Sequence, residues 1–118
     1  MHELSIAVSM IEMAEEEAVR AGGRVAALHL KLGPLSGVVR EALEFSWEIA
    51  CQGTALEGSQ LVIEDVPVMI RCSRCREEFE VSLQDLRCAA CGEPGEVIQG
   101  RELEVTALEL EPEEELVT

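Results

Sequence analysis

Aromatic side chains are scarce in this sequence: among 118 residues there is no tyrosine, one tryptophan and two phenylalanines. Proteins that hold single strands stack bases on such rings, so that class starts at a disadvantage. Positive charge is scarce as well. Nine lysines and arginines stand against 24 aspartates and glutamates, a formal net charge of −15, which repels phosphate backbones and anionic lipid at long range. Neither nucleic acid nor a membrane is expected as a partner. Histidine occurs only at His2 and His29, one terminal and one isolated, so no Ser/His/Asp or Cys/His arrangement can be assembled and an enzyme is not expected. A long apolar run is missing too. Glu3, Glu12, Glu15, Glu16 and Glu17 interrupt the opening residues and no basic stretch precedes them, which fits neither a secretory signal nor a membrane span. A cytoplasmic protein is the expectation, and in a reducing compartment its five cysteines suit thiolate ligands or buried thiols better than disulfides.

What is present suffices for one compact core and a small appendage, with 47% of residues hydrophobic. Leu4, Ala7, Val8, Ile11, Ala14, Ala18 and Val19 fall at helical spacing, and Gly22 with Gly23 ends that helix. RVAALHLKLG follows, with Ala26, Leu28, Leu30 and Leu32 on one face of a strand. Gly33 and Pro34 break it, Ser36 suits an N-cap, and Val39, Leu43, Trp47 and Ala50 line a second helix running towards Gly53. QLVIEDVPVMI reads as a strand interrupted near Pro67, and RELEVTALEL places Leu103, Val105 and Ala107 on one face of another. The expected fold is α+β, in the order helix, strand, helix, strand, zinc lobe, strand, with both helices on one face of a three-stranded sheet. Residues 1–70 and 96–111 form the main domain, 71–95 an inserted lobe, and 112–118 an acidic, fraying tail.

The lobe carries the strongest signal. Cys72-x2-Cys75, twelve residues, then Cys88-x2-Cys91 lets two tight turns each present two sulfurs to one ion, a tetrahedral S4 site. Gly92 suits the positive φ that such a turn needs. The EEFEVSLQDL insert is too short for a core of its own, so bound metal would order it, and structural Zn2+ in small peptides contributes about 10–16 kcal/mol. Four thiolates leave no open position for water, which points to structure and away from hydrolysis. A redox CxxC and an iron–sulfur cluster are the alternatives, and the matched pairs at regular spacing favour zinc. Charge in the lobe is close to balanced, with Arg71, Arg74, Arg76 and Arg87 against Glu77, Glu78, Glu80, Asp85 and Glu93.

His2 offers a different chemistry. If its backbone amide deprotonates, the Met1 amine, the His2 amide nitrogen and the His2 imidazole close two fused chelate rings in one plane, which suits Ni(II) or Cu(II). The fourth donor would come from Glu3, through backbone or carboxylate, or from a partner. The simpler reading of the spacing is a polar, fraying helix start, with Glu3 favoured near the positive end of the helix dipole. The chelate also needs a free amine, whose ordinary pKa of about 7.7–8.0 makes protons compete near neutrality.

MHELSIA at the start, the KLGPLSGV turn, the paired CxxC lobe and the GRELEVTALEL ending together resemble the HypA/HybF family of hydrogenase maturation factors, in order and over essentially the whole chain. The resemblance implies a nickel metallochaperone: a small α+β nickel-binding domain with a zinc lobe, which helps deliver Ni2+ to the large-subunit precursor of [NiFe] hydrogenase together with a GTPase partner, some members also serving urease. It implies His2 as the nickel ligand, supported by the Met1 amine and Glu3, and Cys72, Cys75, Cys88 and Cys91 as the zinc ligands. Some relatives flank their cysteine pairs with histidines. This chain has none there, so the resemblance carries no pH sensing through the lobe.

The remaining candidates have plainer explanations. His29 is assigned to the polar face of its strand, Cys51 to a buried thiol, and Met10, Met13 and Met69 to core filler. Glu15, Glu16 and Glu17 form a solvated face. The rival from another class is a zinc-ribbon interaction module whose terminal histidine is incidental.

Overall fold

A computed structural model describes residues 2–112. The chain is α+β, with two helices and two three-stranded sheets. Two compact units divide it. One runs to Leu30 and takes in Val39–Ile63 and the stretch from Val105; the other comprises Lys31–Val38 and Glu64–Glu104.

In the first unit, α1 (Glu3–Ala21) buries Ala7, Met10, Ile11, Ala14 and Ala18; of the stripe expected at i, i+3, i+4 spacing, Leu4, Val8 and Val19 are exposed instead, because the buried face is narrower and centred on the Ala7–Ile11–Ala14–Ala18 line. Gly22 ends it in the left-handed conformation at φ 71°, where its N–H reaches the Ala18 and Val19 carbonyls and where a side chain would be strained. Gly23 does not share that task. It opens β1 (Gly23–Leu32), the central strand of a three-stranded sheet. Along β1 the buried residues are Val25, Ala27, Leu28, Leu30 and Leu32, so the expected single face holds from Leu28 onward and fails before it. Ala27 and Leu28 are consecutive and both buried, Ala26 is half-buried, and a strand whose successive side chains point to opposite faces must therefore bury both of them there.

The second helix, α2 (Arg40–Cys51), starts later than Ser36. The Ser36 hydroxyl accepts the Val38 N–H at 3.2 Å instead, the local side-chain turn that competes with helix in serine segments. Its buried stripe is Leu43, Trp47 and Cys51, spaced by four. Val39 is exposed at the N-cap and Ala50 only half-buried, so Cys51 takes the place expected for Ala50. Trp47 Nε1 donates to the Ser59 carbonyl at 3.1 Å, and the Ser59 hydroxyl donates to the Val25 carbonyl. This pair of bonds ties α2 to the first strand. α1 and α2 pack against each other, and Met10 is buried as core filler while Met13 is half-buried.

The outer strands are β2 (Gln60–Asp65) and the last strand, β6 (Leu103–Pro112). Neither has a fully buried residue. Leu103 and Ala107 are exposed and Val105 half-buried, so the face expected to be buried is mostly open, as an edge position allows. Glu111 pairs with Arg24 at 2.9 Å. Residues 113–118, most of the expected acidic tail, lie outside the described residues.

In the second unit, the segment after Pro67 leaves the first sheet. Met69 is half-buried in β3 (Met69–Arg71), which is central to a sheet of its own between β4 (Glu78–Glu80) and β5 (Glu96–Gln99). Both pairings are antiparallel, with Ile70 opposite Phe79 on one side and Val97 on the other. The cysteine segment thus has a small core after all: Ile70, Cys72 and Cys88, with Phe79, Val81 and Val97 packed against them. It escapes notice because its members come from both sides of the insert. The break at Gly33 is enforced by backbone. Gly33 donates to the Glu102 carbonyl at 2.8 Å and Leu35 to the Gly100 carbonyl at 2.7 Å, and a Cβ on Gly33 would collide with the Gly100 carbonyl oxygen.

Candidate metal centres

The four cysteines come together. Their sulfurs all lie within 4.8 Å of one another, with Cys72 to Cys91 at 3.6 Å and Cys75 to Cys88 at 3.9 Å. Four sulfurs at about 2.3 Å from a tetrahedral ion would be about 3.8 Å apart. The donor set therefore fits a single ion of zinc's preference. A multi-iron cluster divides the four thiolates among its irons and spreads the sulfurs further, so the packing favours one ion.

The two turns use the same backbone device. Arg76 N–H donates to the Cys72 carbonyl at 2.7 Å and Gly92 N–H to the Cys88 carbonyl at 2.9 Å; Cys72 N–H reaches the Glu77 carbonyl at 3.0 Å and Cys88 N–H the Glu93 carbonyl at 2.8 Å. Gly92 has φ 76°, as its place after the second pair suggested, and Arg76 at φ 58° is the equivalent residue after the first. Symmetry between the pairs was the available signal for Arg76.

Electrostatically the sulfurs are unequal. The Cys75 N–H donated to the Cys72 sulfur at 3.4 Å is the main reason Cys72 falls to about 7, which brings the thiolate, the form a metal needs, within reach of neutral pH. The Cys91 thiol beside Cys75, helped by burial and the other sulfurs, pushes Cys75 up to about 12. Four thiols crowded this closely cannot all ionise without a cation to offset the charge. Cys51 stands apart, buried as expected, with desolvation and then Glu15 pushing it up to about 11.

The N-terminal residues are built differently. His2 is exposed and caps α1 at its N-terminus, its carbonyl accepting the Ile6 N–H at 3.1 Å. The first N–H groups of a helix have no partner within it, so the His2 amide and imidazole stand outside the helical ladder. Glu3 opens the helix, and its carboxylate accepts the Val39 N–H at 3.4 Å. Val39 is the N-cap of α2 and has no side-chain cap of its own. Met1, whose amine is the third element of the expected chelate, lies outside the described residues. His29 pairs with Glu109 at 3.2 Å, in keeping with the plain reading given to it, and among the described residues the four cysteines are the one cluster of three or more metal-ligating side chains.

A family model described as hydrogenase/urease nickel incorporation, metallochaperone, hypA, matches residues 1–110. The chain belongs to the HypA family. Hydrogenase maturation factor HypA of Chloroflexus aurantiacus is 47% identical over 112 residues, covering 92% of this chain and 98% of that protein. The HypA of Roseiflexus is 48% identical over 116 residues, 94% of this chain and 93% of that one. Two solution structures share the fold: a HypA protein with TM-score 0.70 at 24% identity, spanning 96% of this chain and 98% of that chain, and the Ni metallochaperone HypA from Helicobacter pylori with TM-score 0.65 at 24% identity, spanning 96% and 100%. As a HypA, the chain is a metallochaperone and maturation factor and not an enzyme. No helix among the described residues is long and apolar enough to cross a membrane. The contact from Glu3 to Val39 escaped sequence reasoning, since nothing in a one-dimensional pattern links positions 36 residues apart.

Proposed function

We propose that this HypA takes up Ni2+ through the Met1 amine, the His2 amide and imidazole, and Glu3, and hands it to the large-subunit precursor of a nickel hydrogenase in the cytoplasm, assisted by a GTPase partner. Cys72, Cys75, Cys88 and Cys91 hold Zn2+, which orders the second sheet and takes no part in transfer. The reading rests on one observation above the others: the family match begins at residue 1 and so includes the His2 end, where an exposed histidine precedes the first helical turn. Planar nitrogen donors suit Ni(II) or Cu(II), the family's description selects nickel, and a site completed by only one further ligand releases its ion when a partner's donor replaces that ligand.

The test is Ni2+ calorimetry on zinc-loaded protein with a native N-terminus, beside His2→Ala and a variant with two residues added before Met1. One binding site is expected in the native protein and none in either variant, with zinc retained in all three. Equal binding in all three, or in none, sinks the terminal chelate and leaves the lobe as a zinc-ribbon docking module.

A further inference from the structure

Each turn of the cysteine lobe keeps one sulfur inside and offers the other to solvent. Cys72 and Cys88 are buried, at 1% and 3% exposure, while Cys75 and Cys91, three residues later in each turn, are half-buried. A small oxidant arriving from water therefore meets Cys75 and Cys91 first. Each of these has an inner sulfur of the opposite turn in contact. Cys91 lies 3.6 Å from Cys72, and Cys75 lies 3.9 Å from Cys88.

Backbone bonding favours closing these crossed pairs. A disulfide needs its sulfurs about 2.05 Å apart, so any pair has to approach further. Within a turn, that approach deforms a backbone already closed by two hydrogen bonds. Arg76 N–H donates to the Cys72 carbonyl and Cys72 N–H to the Glu77 carbonyl in the first turn, and Gly92 N–H to the Cys88 carbonyl and Cys88 N–H to the Glu93 carbonyl in the second. Between the turns, the approach moves two intact units together. The remaining arrangement, Cys72 with Cys88 and Cys75 with Cys91, needs two buried sulfurs to react with each other where oxidant does not reach them first.

We propose that the four cysteines form a reversible redox switch, in which hydrogen peroxide closes Cys72–Cys91 and Cys75–Cys88 disulfides, frees the zinc and leaves the second sheet folded. This rests on the zinc reading above. The Cys91 thiolate attacks peroxide: an S–O bond forms, the O–O bond breaks and hydroxide leaves, the sulfur giving up two electrons to become a sulfenic acid. The Cys72 thiolate then attacks that sulfur; the S–S bond forms, the S–O bond breaks and a second hydroxide leaves. Cys75 and Cys88 repeat the sequence with a second peroxide. Two peroxides thus convert four thiolates into two disulfides and four hydroxides, and Zn2+ departs unreduced for want of thiolate ligands. The crossed bonds tie turn to turn, the constraint the ion supplied, around the core of Ile70, Phe79 and Val97. Disulfides inside each CxxC would leave the turns unconnected. In a reducing cytoplasm such bonds are transient and serve sensing.

The experiment adds hydrogen peroxide in small steps to the full-length, zinc-loaded chain, whose zinc content is measured beforehand. Released zinc is read with a metallochromic dye, and disulfides by mass spectrometry of unreduced tryptic peptides. Cleavage after Arg74 separates Cys72 from Cys75, and fragmentation between Cys88 and Cys91 distinguishes those two. Release of one zinc per chain at two equivalents of peroxide is expected, with both crossed disulfides formed and the buried Cys51 unmodified. Hydrogen exchange should find β3, β4 and β5 still protected in the oxidised, zinc-free chain, and dithiothreitol with zinc should restore the starting form. Disulfides within either CxxC, pairing of Cys72 with Cys88, disulfides between chains, zinc retained under excess peroxide, or loss of protection in the oxidised lobe each overturn the switch. Zinc absent at the outset overturns the zinc reading together with the switch, whereas zinc present with any other pairing overturns the switch alone.

Discussion

At the scale of single residues, the most informative contact is Glu3 to the Val39 N–H. Helices gain stability when an oxygen satisfies one of their opening N–H groups, and the residue at the N-cap usually supplies it. In α2 the cap is Val39, whose side chain cannot. Glu3 substitutes from the start of another helix and brings a negative charge to the positive end of α2. Glu3→Ala should therefore lower stability by about 0.5–1 kcal/mol, whereas Glu3→Gln, which keeps an accepting oxygen, should lose only part of that. Thermal melts of the two variants make the comparison. The same pair also separates two roles in nickel binding: if Glu3 donates through its backbone, Glu3→Gln retains the nickel isotherm, and if through its carboxylate, the isotherm weakens.

Elements differ in how openly the sequence declares them. α1 is legible from its stripe and its glycine, because a helix packed on one side repeats its burial every turn. The S4 cluster is legible from spacing alone, since two CxxC turns have few other uses. The second sheet is not. Its strands are three or four residues long, shorter than the alternation needed to recognise a strand, and Met69–Arg71 follows closely enough on Gln60–Asp65 to pass for its continuation. Edge exposure is equally silent, so β6 displays apolar residues that pattern alone assigns to the interior. The core of this sheet consists of Ile70 and two of the cysteines, with a few half-buried neighbours, too little apolar surface to hold a fold alone. Zinc removal by a chelator should accordingly abolish amide protection in β3, β4 and β5 while leaving α1 protected, read by hydrogen exchange. Acid should act in the same direction, because protons compete with the ion for every sulfur. Protection in β3–β5 that survives complete zinc removal would mean that the apolar residues suffice.

For the molecule as a whole, charge decides what it meets. With a formal charge of −15, long-range attraction to nucleic acid is absent unless a local basic surface opposes the total. The only stretch where basic residues gather is the cysteine segment, and there Arg87 is held by Asp85 through two hydrogen bonds of 2.8 and 3.1 Å, while Arg74 lies 3.9 Å from Glu93. Those pairs offset two of the four guanidinium groups that a phosphate would need. Nor does the lobe offer a fully exposed ring to stack a base, as Phe79 is half-buried against its core. A four-cysteine lobe with this surface has the chemistry of a structural element or a protein contact. In a mobility assay at low salt, where phosphate contacts are strongest, the zinc-loaded chain should leave both single-stranded and duplex DNA unshifted at concentrations well above those of the maturation partners. A shift that disappears with rising salt would reveal a basic surface that these ion pairs do not neutralise, and would return the zinc-ribbon alternative to contention.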